Sequence, residues 1–248
     1  MHTVKLLVSV AALAVLTSGA MAADLAKPMK MAPVMAAPVA SNWDGAYIGA
    51  NIAYGPGSAT STSAHYYDDT SDTITTDDSL DFSGLSVGGQ IGYNFHLSDK
   101  LVGGIEGSLN WANESGTAGD DQDYPGITQT INWDGNLVAR LGLDMGQFLP
   151  YIDGGLAFAN STRDSSGCAT SGPGRCYFED SSHKSDTQTQ MGWTVGVGVE
   201  GKITDNMSAF VAYNYADYGN ADYNTGGYYI PSVHLTDNIV KGGINFHF

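Results

Sequence analysis

The chain has 248 residues, a net charge of −16 and only 15% charged residues. The acidic balance excludes a nucleic-acid partner, whose phosphates it would repel. The low charge content is unlike that of an ordinary soluble surface, and the length allows one domain after the ends are set aside.

The opening residues MHTVKLLVSVAALAVLTSGAMAA have the three parts of a secretory signal: Lys5, an apolar run from Leu6 to Leu16, and a small-x-small site at Ala20-Met21-Ala22. The run holds 11 residues, short of the roughly 20 that a membrane-spanning helix needs. Residues 1–22 are therefore expected to be a cleaved signal peptide. Residues 23–42 carry three prolines and many alanines without a period, the composition of a periplasmic linker that cannot fold alone. Residues 43–248 form the folded domain.

From Trp43 onward the recurring signal is alternation of period two, the mark of strands with two different faces. Strands are predicted near 43–55, 81–96, 101–112, 128–143, 149–162, 188–203, 207–218 and 233–248. In 81–96 one row is Leu85, Val87, Gly89, Ile91, Tyr93 and Phe95, against Ser86, Gly88, Gln90, Gly92, Asn94 and His96. In 128–143 the apolar row is Ile131, Trp133, Leu137, Ala139 and Leu141. In QTQMGWTVGVGVEGKI the row Met191, Trp193, Val195, Val197 and Val199 opposes one with no large apolar side chain. Phe210 falls out of phase with Val211 and Tyr213, so 207–218 is ambiguous.

Short links at HLSDK, DMGQFLP and TDN alternate with long polar ones at 56–80, 113–127, 163–187 and 219–232. This alternation predicts an all-β fold: an eight-stranded antiparallel up-and-down transmembrane barrel with three short periplasmic turns and four long external loops. Closure satisfies every backbone polar group within lipid. The apolar rows then face lipid. Glu106, Asp134, Arg140, Asp153, Glu200, Lys202 and Lys241 face inward as a polar network, in a barrel narrow enough for side chains to fill. Trp43, Tyr54, Phe95, Trp111, Phe148, Tyr151, Tyr218 and Phe248 are placed as an interfacial girdle.

Cys168 and Cys176 follow an export signal, so a local disulfide is expected; two cysteines alone do not make a metal site. His65, Tyr66 and Tyr67, with His183 and His234, are acceptable haem ligands by type, but their loops are acidic and lack a ligand pair at fixed spacing. The carboxylate pairs Asp68-Asp69, Asp77-Asp78 and Asp120-Asp121 lack the EF-hand order. His183 beside Ser181-Ser182 and Asp186 is a chance grouping in a serine-rich loop, so no enzyme activity is expected. The expected cofactor is none, with haemin the alternative.

WDGAYIGANIAYGPG at 43–57, FSGLSVGGQIGYNFHLSDKLVGGIEGSLNW at 82–111, LPYIDGGLAFAN at 149–160 and the closing VKGGINFHF resemble the small outer-membrane β-barrels of alphaproteobacteria. That group contains immunogenic surface antigens and haemin-binding proteins, often labelled a porin family. The resemblance implies a Gram-negative outer-membrane location among phospholipid and lipopolysaccharide, and a role in envelope integrity with surface loops open to host or environmental ligands. Haemin capture or a small-solute pore are the alternatives. The tail, with Ile244, Phe246 and Phe248, resembles the signal read by the outer-membrane assembly machinery.

Overall fold

The computed structural model describes residues 43–66, 73–118, 127–166, 183–223 and 232–248. They form eight strands: β1 (Gly45–Tyr66), β2 (Thr73–Ser98), β3 (Leu101–Ala118), β4 (Ile127–Leu143), β5 (Phe148–Ser166), β6 (His183–Lys202), β7 (Met207–Asp222) and β8 (Ser232–His247). Each pairs antiparallel with its sequence neighbours, and β8 returns to β1 to close the barrel. The closing register sets Ile48 beside Phe246 and Ala50 beside Ile244. No backbone edge is left open over the paired length, as a lipid environment requires.

Within the lower part of the barrel the two rows separate as their chemistry dictates. Ile91 is 64% exposed while Gln90 beside it is 4% exposed. The outward belt includes Ile48, Ile52, Leu85, Val87, Ile105, Leu137, Ile152, Val197, Val211 and Ile244. The ambiguity in β7 resolves the same way: Phe210 points inward, and Val211 and Tyr213 point outward.

The strands run well past this belt. At about 3.3 Å per residue, the 26 residues of β2 measure roughly 85 Å, whereas about 10 residues suffice to cross a bilayer. Much of the predicted loops at 56–80, 113–127, 163–187 and 219–232 is therefore strand. Above the belt the polarity of the two faces inverts. On β2, Ser79, Asp81 and Ser83 face outward and Leu80 and Phe82 inward. On β8, Val233 and Leu235 are fully buried between the outward His234 and Thr236.

These inward side chains join Ala59, Ile131, Ala157, Ala159, Ala216, Tyr218 and Tyr223 in one apolar cluster. The barrel thus has two storeys: a lower one, apolar outside and polar inside, and an upper one built like a soluble barrel. Burial of this second core is what carries the sheet beyond the membrane.

Two residues mark the change. Ile131, expected on the lipid face with Trp133, is buried because a bulge between them puts β4 one residue out of phase. Pro56, which has no N–H to donate, sits where the β1–β8 pairing is interrupted between Tyr54 and Gly57.

Candidate functional site

The lower storey is filled by a network centred on Arg140 of β4. Its guanidinium donates through Nη1 to Glu106 Oε2 at 3.1 Å and to the Tyr47 hydroxyl at 2.6 Å, and through Nη2 to Glu200 Oε2 at 3.0 Å. Tyr47 donates in turn to Glu106 Oε2 at 2.7 Å. The other Glu200 oxygen accepts from Ser208 at 2.5 Å and Asn245 at 2.8 Å, with His247 Nε2 3.3 Å away. Lys241 Nζ stands 3.7 Å from Glu106 Oε1. Arg140 also lies over the Tyr151 ring, 3.9 Å from its centroid.

The glycines of the inner row make this possible. A Cβ at Gly92 would fall 2.3 Å from Tyr47 Cζ, and one at Gly198 would fall 2.5 Å from Tyr151 Cζ. Both rings lie flat against bare backbone on the neighbouring strand, which brings their hydroxyl ends into the centre of a narrow barrel. Planar, multiply bonded Arg–carboxylate geometry is what compensates charges withdrawn from water.

Asp153 accepts from Asn214 Nδ2 at 2.7 Å, and Asp134 from Asn110 Nδ2 at 2.8 Å. Asn51, Gln90 and Asn245 form a further amide chain with both links at 2.7 Å. Lys202 is placed differently from the other six inward residues. It lies at the short-turn rim with its Nζ 5.0 Å from the centre of the Trp43 ring.

Trp43 is itself not a girdle residue. Fully buried, it donates to the Gly146 carbonyl at 3.2 Å, meets the His247 ring at 5.9 Å, and stoppers the periplasmic end. Beside it His96 bridges Asp44 at 2.7 Å and Asp144 at 3.2 Å, joining the chain entry to two turns. Tyr151 and Tyr218 also turn inward. The exposed collar is built instead from Tyr54, Trp111, Trp193 and Tyr213 toward the upper storey, and Phe95, Phe148, Phe246 and Phe248 toward the turns.

Of the expected loop ligands, His234 alone has a described side chain. His234 is held by Asp217 at 3.3 Å and Asn220 at 3.2 Å on the upper outer wall. His65 and Tyr66 end β1 and His183 begins β6, but their side chains, like Tyr67, Cys168, Cys176 and segments 1–22 and 23–42, lie outside the described residues. Among the described residues, no three His, Cys, Asp or Glu side chains group to hold a metal ion.

Sequence reading missed the apolar upper core. Its signal was present in the alternation of Leu80 and Phe82 with Ser79, Asp81 and Ser83, and of Val233 and Leu235 with His234 and Thr236. Ser79 and Leu80 fell in a stretch read as a loop, and the others lay at the ends of predicted strands, where they carry the opposite phase of polarity.

A closed antiparallel barrel with an apolar outer belt, aromatic collars and a polar interior is a transmembrane β-barrel of the outer-membrane type. The family model for the outer membrane protein beta-barrel domain matches residues 8–231, and the chain belongs to that family. It is 32% identical over 253 residues to the 25 kDa outer-membrane immunogenic protein of Brucella abortus biovar 1, covering all of both chains. It is likewise 32% identical over 213 residues to the 22 kDa outer membrane protein of Rhizobium leguminosarum bv. viciae, covering 84% of this chain and 80% of that one. The 31 kDa outer-membrane immunogenic protein of Brucella melitensis biotype 1 is 29% identical over 253 residues, 98% of this chain and 94% of the other. Among solved structures, Neisserial surface protein A overlaps it with a TM-score of 0.44 at 15% identity, over 82% of this chain and 97% of that one. This is an outer-membrane protein of Gram-negative envelope type.

Proposed function

We propose that the protein is a sealed, non-enzymatic surface barrel that reinforces the outer membrane and holds its loops outside the bilayer. The observation that carries this reading is the doubly filled lumen. The Arg140–Glu106–Glu200 network occupies the lower storey and the Phe82–Ile131–Tyr218–Leu235 cluster the upper one. A barrel of eight strands leaves little interior space beyond its side chains, so filling both storeys favours a strut over a diffusive pore. The upper storey lifts the loops clear of the headgroups on a rigid support. That placement suits surface recognition, and the relatives named as immunogenic proteins accord with loops that are seen from outside.

Two measurements test the reading. Refolded protein in a planar bilayer is expected to give no conductance steps; steps of reproducible size would overturn it. A strain lacking the protein is expected to become sensitive to detergent, and a loop-shortened barrel is expected to restore resistance. Failure of the shortened barrel to do so would move the role from the barrel to the loops. Haemin capture by His65, Tyr66, Tyr67, His183 and His234 is the alternative reading. The expected outcome of a Soret titration is no shift at micromolar haemin.

A further inference from the structure

Between the two storeys lies a pair of acidic side chains that the sealed-barrel reading does not use. Glu114 projects inward from β3 and Asp237 from β8, each only 2% exposed. Two strands separate them around the wall, and on both of those the facing position is glycine: Gly84 of β2 pairs with Glu114, and Gly55 of β1 pairs with Gly84. With no side chains in the way, Glu114 reaches across to Asp237.

Their oxygens converge over Gly55. A Cβ built there would lie 2.7 Å from Asp237 Oδ2, 2.8 Å from Asp237 Oδ1 and 3.0 Å from Glu114 Oε1. Neither Glu114 Oε2 nor Asp237 Oδ1 has a hydrogen-bond partner, although both are shut off from solvent. Buried acceptors without donors are rare in native structures, and the two carboxyl groups lie within side-chain hydrogen-bond reach of each other, so either a proton or a cation must stand between their oxygens.

The surrounding charge sharpens the demand. Asp134 of β4 adds a third negative group close to the pair. The nearby ammonium, Lys241 of β8, stands within ion-pair distance of Glu106, and the buried Tyr218 of β7 lies within electrostatic reach of all three acids. Arg140 is committed to Glu106 and Glu200.

The barrel wall is also open in its hydrogen bonding at this height. β1 and β8 are paired at Tyr54–Val240 and again at Gly57–Asp237, with Gly55 and Pro56 unpaired between. On the outer side of the same seam is a polar pocket of about 490 Å³, lined in part by Pro56, Gly57, Ser58, Asp81, Ser83 and Asn238.

We propose that Glu114 and Asp237 form a lumenal binding site for one hard divalent cation of the calcium class, reached through the Gly55–Pro56–Gly57 seam. Two ionised carboxylates balance its charge. Their convergent oxygens supply part of the oxygen shell such cations prefer, and water completes it. With only two protein ligands the site falls short of a closed cage of three or more acidic or imidazole side chains, so the cation exchanges and protons compete for the same oxygens. Occupancy ties β3 to β8 across the seam where β1 cannot pair.

The test uses the full refolded chain in detergent. Thermal unfolding and calorimetric titration are followed with calcium, with magnesium and with chelator. Calcium is expected to raise the unfolding midpoint saturably. The E114Q/D237N double variant is expected to lose that shift while keeping the heat-modifiable migration of a folded barrel. G55A, which keeps both carboxylates but places a methyl among their oxygens, is expected to lose it too. D99N, at an exposed turn, is expected to retain it. A calcium shift that survives in E114Q/D237N would assign the cation to the acidic loops and overturn the proposal. No shift in the wild type, with a higher midpoint for E114Q in chelator, would show that the pair holds a shared proton instead and would equally overturn it.

Discussion

Arg140 is the residue on which the lower storey depends. It is buried, and it holds Glu106, Glu200 and Tyr47 at once. Removing one partner of a buried ion pair strands the other charges, at a cost of about 3–5 kcal/mol. Arg140→Leu is therefore expected to lower barrel stability by that order in urea unfolding, far more than an exposed substitution such as Asp99→Asn. A loss below about 1 kcal/mol, typical of surface pairs, would mean that the carboxylates find other partners. Phe82 plays the equivalent part in the upper storey, filling space against Gly57, whose Cβ would lie 2.3 Å from its ring. Phe82→Ala is expected to cost about 3–5 kcal/mol by leaving a cavity in a packed core, read by the same unfolding measurement.

At the scale of the strand, one pleat serves two solvents. β2 keeps a single inward phase from Leu80 to Asn94, yet the inward side chains change from Leu80 and Phe82 to Ser86, Gln90 and Asn94. The position of a charge along the outward row should decide its effect. Ile91→Lys, in the middle of the apolar belt, is expected to destabilise the barrel by about 2–4 kcal/mol. Ser83→Lys, on the upper outer wall, is expected to change little. Equal effects on unfolding in lipid vesicles would place the membrane boundary wrongly. The β4 bulge works at this scale as well. By shifting phase between Ile131 and Trp133 it lets Ile131 enter the upper core while Trp133 stands opposite Trp111 in the collar.

For the molecule as a whole, closure and filling together set the properties. Every strand is paired on both sides, so the barrel should resist detergent unless heated, and a shift in electrophoretic migration on boiling is the expected outcome. Identical migration with and without boiling would contradict a closed barrel. Trp43 with His247 fills the lumen at the turns, and Tyr223, bonded to Ser161 at 2.5 Å, is buried within the upper storey; both agree with the proposed absence of conductance.

The barrel, its strand number and its inside-out lower half were legible because alternation of period two, repeated between short and long links, has one closed solution in lipid. The inward positions of Glu106, Asp134, Arg140, Asp153, Glu200 and Lys241 follow from phase alone. Phase could not say which of them meet, since that depends on strand stagger and on glycines several strands away. It also could not show that Trp43, Tyr151 and Tyr218 turn inward, because an aromatic near a strand end suits a collar and a stopper equally. The upper storey was hidden for a related reason. Its alternation has the polarity of a soluble protein, and only the register between distant strands brings Leu80, Ile131, Tyr218 and Leu235 into one core. Local periodicity determined which face most residues take, with the β4 bulge moving Ile131 to the other. The closed tertiary structure decided which solvent that face meets, and so brought the Glu114 and Asp237 carboxyl groups together where a membrane barrel and a soluble barrel join.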